Sequence, residues 1–535
     1  MTKSEQQGKI SFYILALLLA VVLCFWVVTE SQIQMNTDNA FLANAAIKML
    51  TGEKMSETYY DTNPPLSVII YLPAAMLVKF CAVPVYYAVF IYGIVLLALS
   101  LVATYVILEK MDRFSGFEKQ AILYSALLAN TFGVAYYFTE RDQIIALALL
   151  PMFLLQLAMT DRVPFKPLFK WAVLLMTGFL ILLKPHYGLI PVVMISHRAI
   201  KQKRFSALFD ADFWALCIAC TTYLVLLYVF FYDFLSIILP DVITMYAMTQ
   251  DTITVPKAVI QYGASLTLIA AMSCLTFDKP YKNTLIFCIP AALCMLIFYL
   301  QGKGFLYQLI PFLTFLTAGF TLFLTKFIHE LIFKGAGKTS QNVTLMIIIA
   351  LLAVAFDAGM KTPIPRLTHA QYQNDPLTKR IKACGKESCP FFIFNDRNEM
   401  MHELAVYSGQ PLASRFSAFF FLPYLLPSVE VYTPEEKSRL IKKYTTMIAE
   451  DFERYQPETL LIGRFKVVRH AGYFDFMAFF KSQSERLQKD LNRYKKIDTI
   501  TVDQNKYTGG ALNSAKKLDF DIYVKKTADE LSSDE

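Results

Sequence analysis

Charged residues stand at three polar turns of a largely apolar chain, with carboxylates at the first. Thr139-Glu140-Arg141-Asp142 sets an arginine between two acids, Lys184-Pro185-His186 follows a run of leucines, and Gln301-Gly302-Lys303-Gly304 leads shortly to Tyr307. A further acid, Asp38, opens the stretch DNAFLANAAIKML. A carboxylate within reach of water or substrate can take the proton of an attacking hydroxyl. Fixed lysine, arginine or histidine charge stabilises the negative charge that develops as a phosphate or pyrophosphate departs. These residue types therefore suit transfer of a group away from a phosphorylated carrier.

Each of them also has a plain structural reading. Asp38 stands where a cap or first-turn acid of a short helix would stand. Glu140, Arg141 and Asp142 can close a loop by pairing with one another. Lys184 and His186 can snorkel from the ends of apolar helices. The glycines around Lys303 let a backbone approach a ligand closely, but the turn is not a phosphate-binding P-loop, whose Gly-x-x-x-x-Gly-Lys spacing and preceding strand are missing. Against these readings, ionisable groups at the ends of membrane helices are costly unless they face water, a cavity or each other.

The elements that position these residues are helices in lipid. Hydrophobic residues make up 56% of the 535 positions, far more than a soluble domain carries. Spans are expected at about 10–29, 84–108, 120–138, 143–160, 171–183, 187–197, 212–231, 257–276, 283–300, 305–325 and 342–358. The first reads as a retained helix, because no small-residue cleavage pattern follows it closely. The net charge of +8 is a matter of topology and not of nucleic acid: the basic residues gather in short loops, as membrane orientation requires.

Residues 65–82, PLSVIIYLPAAMLVKFCA, decide which side those loops occupy. If the segment lies in the interface, then Lys110, Arg113 and Lys119, Arg162, Lys166 and Lys170, and Arg198, Lys201, Lys203 and Arg204 all fall inside. If it crossed, every one of those loops would move outside. Pro73 and Lys79 also weaken it as a lipid-facing span. The expected organisation is a transmembrane domain, 1–359, with a first outer loop at 30–64 and an interfacial segment at 65–82, followed by an outer domain, 360–535. In that domain CPFFIFN, PETLLIG and LDFDIYVKK read as strands and YFDFMAFFKSQSERLQKDLNRYKK as a helix. Arg415 either presses the aromatic run after it against the bundle or is a surface arginine of an ordinary core segment. Cys384 and Cys389 are close enough to pair in an oxidising compartment, whereas a zinc site would need further ligands at metal spacing.

The order of features in the first 325 residues resembles the protein O-mannosyltransferases and lipid A aminoarabinose transferases, within the GT-C class. One helix is followed by an acid opening a helix in the first outer loop (Asp38), a tyrosine-rich turn, an x-Pro-Pro-Leu segment (Asn63 to Leu66), and a second acid in the next outer loop (Asp142). The blocks LKPHYGLIP and GKGFLYQLIP are similar to blocks in other bacterial members of the class. The resemblance implies an α-helical polytopic bundle of about eleven transmembrane helices plus interfacial helices, with a C-terminal periplasmic mixed α/β domain. It implies a bacterial inner membrane, the N-terminus cytoplasmic. Two departures stand out: Asp38-Asn39 replaces an acidic pair, and Asn63 stands where many members carry a lysine for the donor phosphate. That contact is left to Lys184, His186, Lys303 or Arg141, with Asn63, Glu140 and Tyr307 as further binding candidates.

The expected activity is sugar transfer from a polyprenyl-phosphate donor to a glycan, lipid or protein acceptor, with inversion. Asp38 is the candidate general base, and Asp142 orients the acceptor or positions a cation. A divalent ion, magnesium or manganese, is left open. A transporter or flippase of lipid-linked glycans would show matching halves, and none are found. A polysaccharide polymerase or ligase would carry a large outer loop in mid-bundle. An assembly or scaffold protein would leave the charged turns unexplained.

Overall fold

The computed structural model describes residues 20–245, 254–275, 282–332, 367–395, 400–426, 432–464, 474–503 and 517–527, with Leu17, Ile348, Asp529 and Glu530. Apart from Leu17 and Ile348, the expected span at 342–358 and the first half of the run at 10–29 lie outside them. Among the described residues, six helices are long and apolar enough to cross a membrane: Val85–Glu109, Arg141–Thr160, Phe205–Phe230, Val255–Cys274, Lys282–Gln301 and Leu306–Ile328. Shorter helices fill other expected spans, among them Pro167–Ile181 and Leu189–Gln202. A single 3-10 turn at Ala135–Tyr137 apart, the run expected at 120–138 is α-helical only over Gly116–Ala129. There the Asn130 amide turns back to the Ala126 carbonyl, 2.9 Å away, and Gly133 follows, so side chain and backbone both end the helix early.

The chain divides into two compact units, and each is built on its own solvent logic. The first comprises 1–31, 90–230 and 249–361. Its Arg141–Thr160 helix is buried along nearly its whole length, whereas Phe205–Phe230 and Val255–Cys274 turn most of their apolar surface outward. Outward-facing Leu224, Val225 and Tyr228 are what a helix in lipid presents. At one end of this unit Arg198, fully buried, forks onto both oxygens of Asp212 at 2.8 and 2.6 Å.

The second unit comprises 32–89, 231–248 and 362–535. The first loop, the segment at 65–82 and the C-terminal residues therefore share one unit. The segment at 65–82 is two short helices, Leu66–Ile69 and Leu72–Cys81. The ten residues of the second rise about 15 Å, half the hydrocarbon thickness. Both pack on the Thr37–Leu50 helix, where the Tyr71 hydroxyl donates to the Asn39 side chain at 2.8 Å.

The unit also holds a four-stranded sheet: β1 Phe391–Phe394, β2 Thr459–Gly463, β3 Tyr494–Val502 and β4 Leu518–Lys525, in the order β1-β2-β4-β3. β1 and β2 run parallel, and β4 lies antiparallel to both β2 and β3. The expected strands at CPFFIFN, PETLLIG and LDFDIYVKK are all present. β1 is buried at all four positions, which is why it reads as an unbroken apolar run. The helix expected over 473–496 is instead two helices, Phe476–Gln483 and Glu485–Asn492, and then β3 begins. Ser484 breaks it by capping the second helix, its side chain accepting from the Leu487 amide. Arg415 is not a surface arginine: it is buried, with Nε 2.7 Å from Asp451 Oδ1 and a second bond to Glu450.

Asp241 ties three parts of this unit together. It accepts from Tyr60 at 2.5 Å, from Tyr444 at 2.6 Å and from Lys443 at 2.7 Å. Asp241→Ala leaves two buried hydroxyls and an ammonium without their acceptor, at a cost of about 3 kcal/mol or more. Asp241→Asn keeps an acceptor oxygen and is expected to cost less. Thermal unfolding in detergent checks both, and equal stability of the alanine variant and the native chain would refute the tie.

Candidate functional site

The buried turn at Thr139-Glu140-Arg141-Asp142 begins with backbone strain. Thr139 has φ +67°, an outlier for a β-branched residue. It is held there by Gln143, whose side-chain oxygen accepts the Thr139 amide at 2.5 Å. Gly93 permits the turn, because a Cβ at that position would stand 2.2 Å from the Thr139 methyl. The strained turn delivers Glu140 as the N-cap and Asp142 into the first turn of the Arg141–Thr160 helix, where the amide ends of the helix favour negative charge.

Asp142 is fully buried and meets two groups from another turn. Lys184 Nζ lies 2.5 Å from its Oδ2, and Tyr187 Oη lies 3.0 Å from Oδ1 and 3.1 Å from the Gln308 carbonyl. The Lys184 side chain is itself only 14% exposed, and its ammonium sits over the Tyr307 ring, 5.0 Å from the centroid. Two of the three polar turns, and Tyr307 and Gln308 beyond the third, are thus brought together in the first unit. An ammonium carries three donors, and a carboxylate that holds one of them aims the rest. Desolvation, and then the Lys184 charge, push the His186 imidazole down to about 4 against the opposite pull of Asp142. His186 is therefore neutral at pH 7. Its ring stands 5.0 Å from that of Tyr187.

Lys303 stands in a turn whose flanking glycines both take left-handed backbone, φ +62° at Gly302 and +73° at Gly304. Desolvation lowers its ammonium to about 8. Phe305 and Tyr307, just beyond it, stack at 5.4 Å. Glu140 and Arg141 adopt the mutual pairing, Nε to Oε1 at 3.1 Å, both buried.

The other candidates belong to the second unit. Asn36, not Asp38, is the N-cap of the Thr37–Leu50 helix: its side chain accepts the Asp38 amide at 2.8 Å. Asp38 is the acid of the first turn and is partly exposed. Asn63 donates to Asp61 at 2.8 Å, within its own turn. Cys384 and Cys389 are joined as a disulfide. Among the described residues no three of histidine, cysteine, aspartate and glutamate converge as metal ligands would. Sequence reasoning did not single out Tyr187, Asp61, Asp241 or Glu403. Tyr187 had a signal, standing in LKPHYGLIP beside two residues that were chosen. Asp61 had one too, two residues before Asn63.

No protein-family model matches the chain, and no curated protein matches it. Among solved structures, it is similar to the crystal structure of ArnT from Cupriavidus metallidurans bound to undecaprenyl phosphate, with 12% identity, 84% of this chain and 92% of that chain covered, and a TM-score of 0.49. It is similar also to the same protein in the apo state, with 13% identity, the same coverage and a TM-score of 0.47.

Proposed function

We propose that the chain is an inverting membrane glycosyltransferase that moves a sugar from a polyprenyl-phosphate donor to an acceptor hydroxyl, on the periplasmic face of a bacterial inner membrane. The observation that carries this reading is the Lys184 ammonium, mostly buried beside the end of an apolar helix and anchored on Asp142. A cation fixed at that place is suited to a phosphate whose carrier dissolves in lipid, where nucleotide sugars and ATP do not reach. The sequence resemblance to the aminoarabinose and mannosyl transferases supports the same reaction class. The Cys384–Cys389 disulfide suits an oxidising compartment for the C-terminal residues. The short, broken helices at 65–82 suit an interfacial segment, and with it a cytoplasmic N-terminus and inside basic loops.

In the proposed reaction the acceptor oxygen attacks the anomeric carbon as Asp38 takes its proton. The bond from that carbon to the phosphate oxygen breaks, and its electron pair leaves with the polyprenyl phosphate. Lys184 and Lys303 stabilise the charge on the leaving oxygens, so no general acid is needed. Attack opposite the phosphate inverts the sugar. Asp142 holds Lys184 in place, and Arg141, Glu140, Tyr307, His186 and Asn63 shape the surroundings of the substrates. The acceptor is a glycan, a lipid or a protein.

The test follows release of undecaprenyl phosphate from a panel of undecaprenyl-phosphate-linked hexoses and pentoses in nanodiscs, with a cell-envelope extract as acceptor. Asp38→Asn is expected to lower kcat by about a hundredfold or more while undecaprenyl phosphate itself binds as tightly as before. Full release by that variant would remove Asp38 as the base. Movement of the intact donor across a bilayer without release would replace the transferase reading with that of a flippase.

The charge on Lys303 gives a second test. A lysine with its pKa lowered to about 8 is protonated, and able to meet a phosphate, below that pH, and loses its charge as pH rises through it. Undecaprenyl phosphate affinity should therefore fall between pH 7 and pH 9 by severalfold, and Lys303→Arg should flatten the profile, because arginine stays charged throughout. An unchanged profile in the arginine variant would take Lys303 out of the phosphate contact.

A further inference from the structure

We propose that the Met401–Ser408 helix is the positioning element for Asp38, with Glu403 and Tyr407 as its holding side chains. The inference rests on the reading of Asp38 as the base and adds to it a role for the C-terminal residues. Glu403 and Tyr407 stand four apart, so they share one face of the helix, one turn from each other. Tyr407 Oη accepts the Met35 amide at 3.0 Å. The Thr37 hydroxyl donates to the Glu403 carboxylate. Between these two ties, Asn36 caps the helix by accepting the Asp38 amide. All three residues that lead into Asp38 are thereby fixed, two of them by this one helix.

The holding groups are themselves held. His369 Nδ1 lies 2.9 Å from Tyr407 Oη, and its ring stands 4.0 Å from that of Tyr86. Gln32 to Gln34 pair with Leu367 to His369 along the backbone, at 2.9 Å from the His369 amide to the Gln32 carbonyl and 2.8 Å from the Gln34 amide to the Leu367 carbonyl. One turn into the Asp38 helix, Phe41 meets the His402 ring edge-on at 4.7 Å. Glu403 and Tyr407 are fully or almost fully buried. An ordinary packing contact would use apolar side chains here, because an acid and a hydroxyl buried at a helix start need matched partners to be tolerated. Polar ties fix direction as well as distance, which a general base requires.

The experiment uses the full-length protein in nanodiscs and three variants, Tyr407→Phe, Glu403→Ala and Glu403→Gln. Amide exchange is followed over residues 35–41, kcat and KM are measured for undecaprenyl phosphate release from an undecaprenyl-phosphate-linked hexose or pentose that the native chain turns over, and Tm is recorded. Tyr407→Phe and Glu403→Ala should raise exchange over 35–41 and lower kcat by about tenfold, the equivalent of one lost hydrogen bond. KM and Tm should stay near their native values. Glu403→Gln keeps an oxygen that accepts from Thr37 and should restore most of kcat. Native exchange in the first two variants overturns the proposal. So does a parallel loss of kcat, KM and Tm that Glu403→Gln does not relieve. If Asp38→Asn retains full release, the base assignment fails alone, and the exchange result still decides whether this helix holds the start of the Asp38 helix.

Discussion

Backbone amides and carbonyls between Glu30 and Pro64 need partners, and that need organises the second unit. Two short helices and several turns cannot satisfy such a stretch from within. The missing partners come from far along the sequence: Leu367 and His369 pair with Gln34 and Gln32, and Arg415 and Ser417 pair with Tyr60 from either side. Side chains complete the join, through Tyr407 to Met35, Glu403 to Thr37, and Ser417 to Asp61 at 3.2 Å. The C-terminal residues carry a hydrophobic core of their own, with Tyr372, Phe391, Leu404 and Ile522 in it, and share one compact unit with the first loop. The sheet, the Met401–Ser408 helix and the first loop form one folded body, and whatever Asp38 does depends on that body's geometry.

The two candidate acids both occupy the first turn of a helix, yet their environments separate their roles. Asp142 is fully buried and bonded to a lysine and a tyrosine. A carboxylate so engaged has both oxygens occupied and no open face for an acceptor hydroxyl. In the proposed reaction it holds Lys184, which then has a fixed direction for its remaining donors. Asp38 is partly exposed, with its backbone amide fixed by Asn36. Proton abstraction needs such access. In the proposed reaction, environment and not residue type sorts the pair.

Much of this was legible in the sequence because lipid imposes a simple code. Apolar length marked the long helices, and the alternation and apolar runs at 391–394, 459–463 and 518–525 marked three strands. β3 was not legible. It is an edge strand, YKKIDTITV, exposed at most of its positions, so no apolar pattern distinguishes it from the end of the charged helix before it. The clustering of Asp142, Lys184 and Tyr307 was legible only as a list of candidates, because spacing along the chain cannot say which turns meet. Glu403 and Tyr407 were invisible for a different reason. Their partners lie 366 and 372 residues away, and a glutamate and a tyrosine in a short helix look like any half-buried face.

The single carboxylate of Asp38-Asn39, a departure from the acidic pair of the resembled family, has a local cause. Successive residues on a helix point about 100° apart, and here position 39 points inward while position 38 does not. The Asn39 side chain is 2% exposed and accepts the hydroxyl of Tyr71, a fully buried residue of the segment at 65–82. A charged glutamate at that place would carry its charge out of water, in contact with a neutral tyrosine. The neutral amide accepts the same hydrogen bond without that cost. Position 39 thus serves the packing of two helices, and the proton transfer proposed for this loop falls to Asp38.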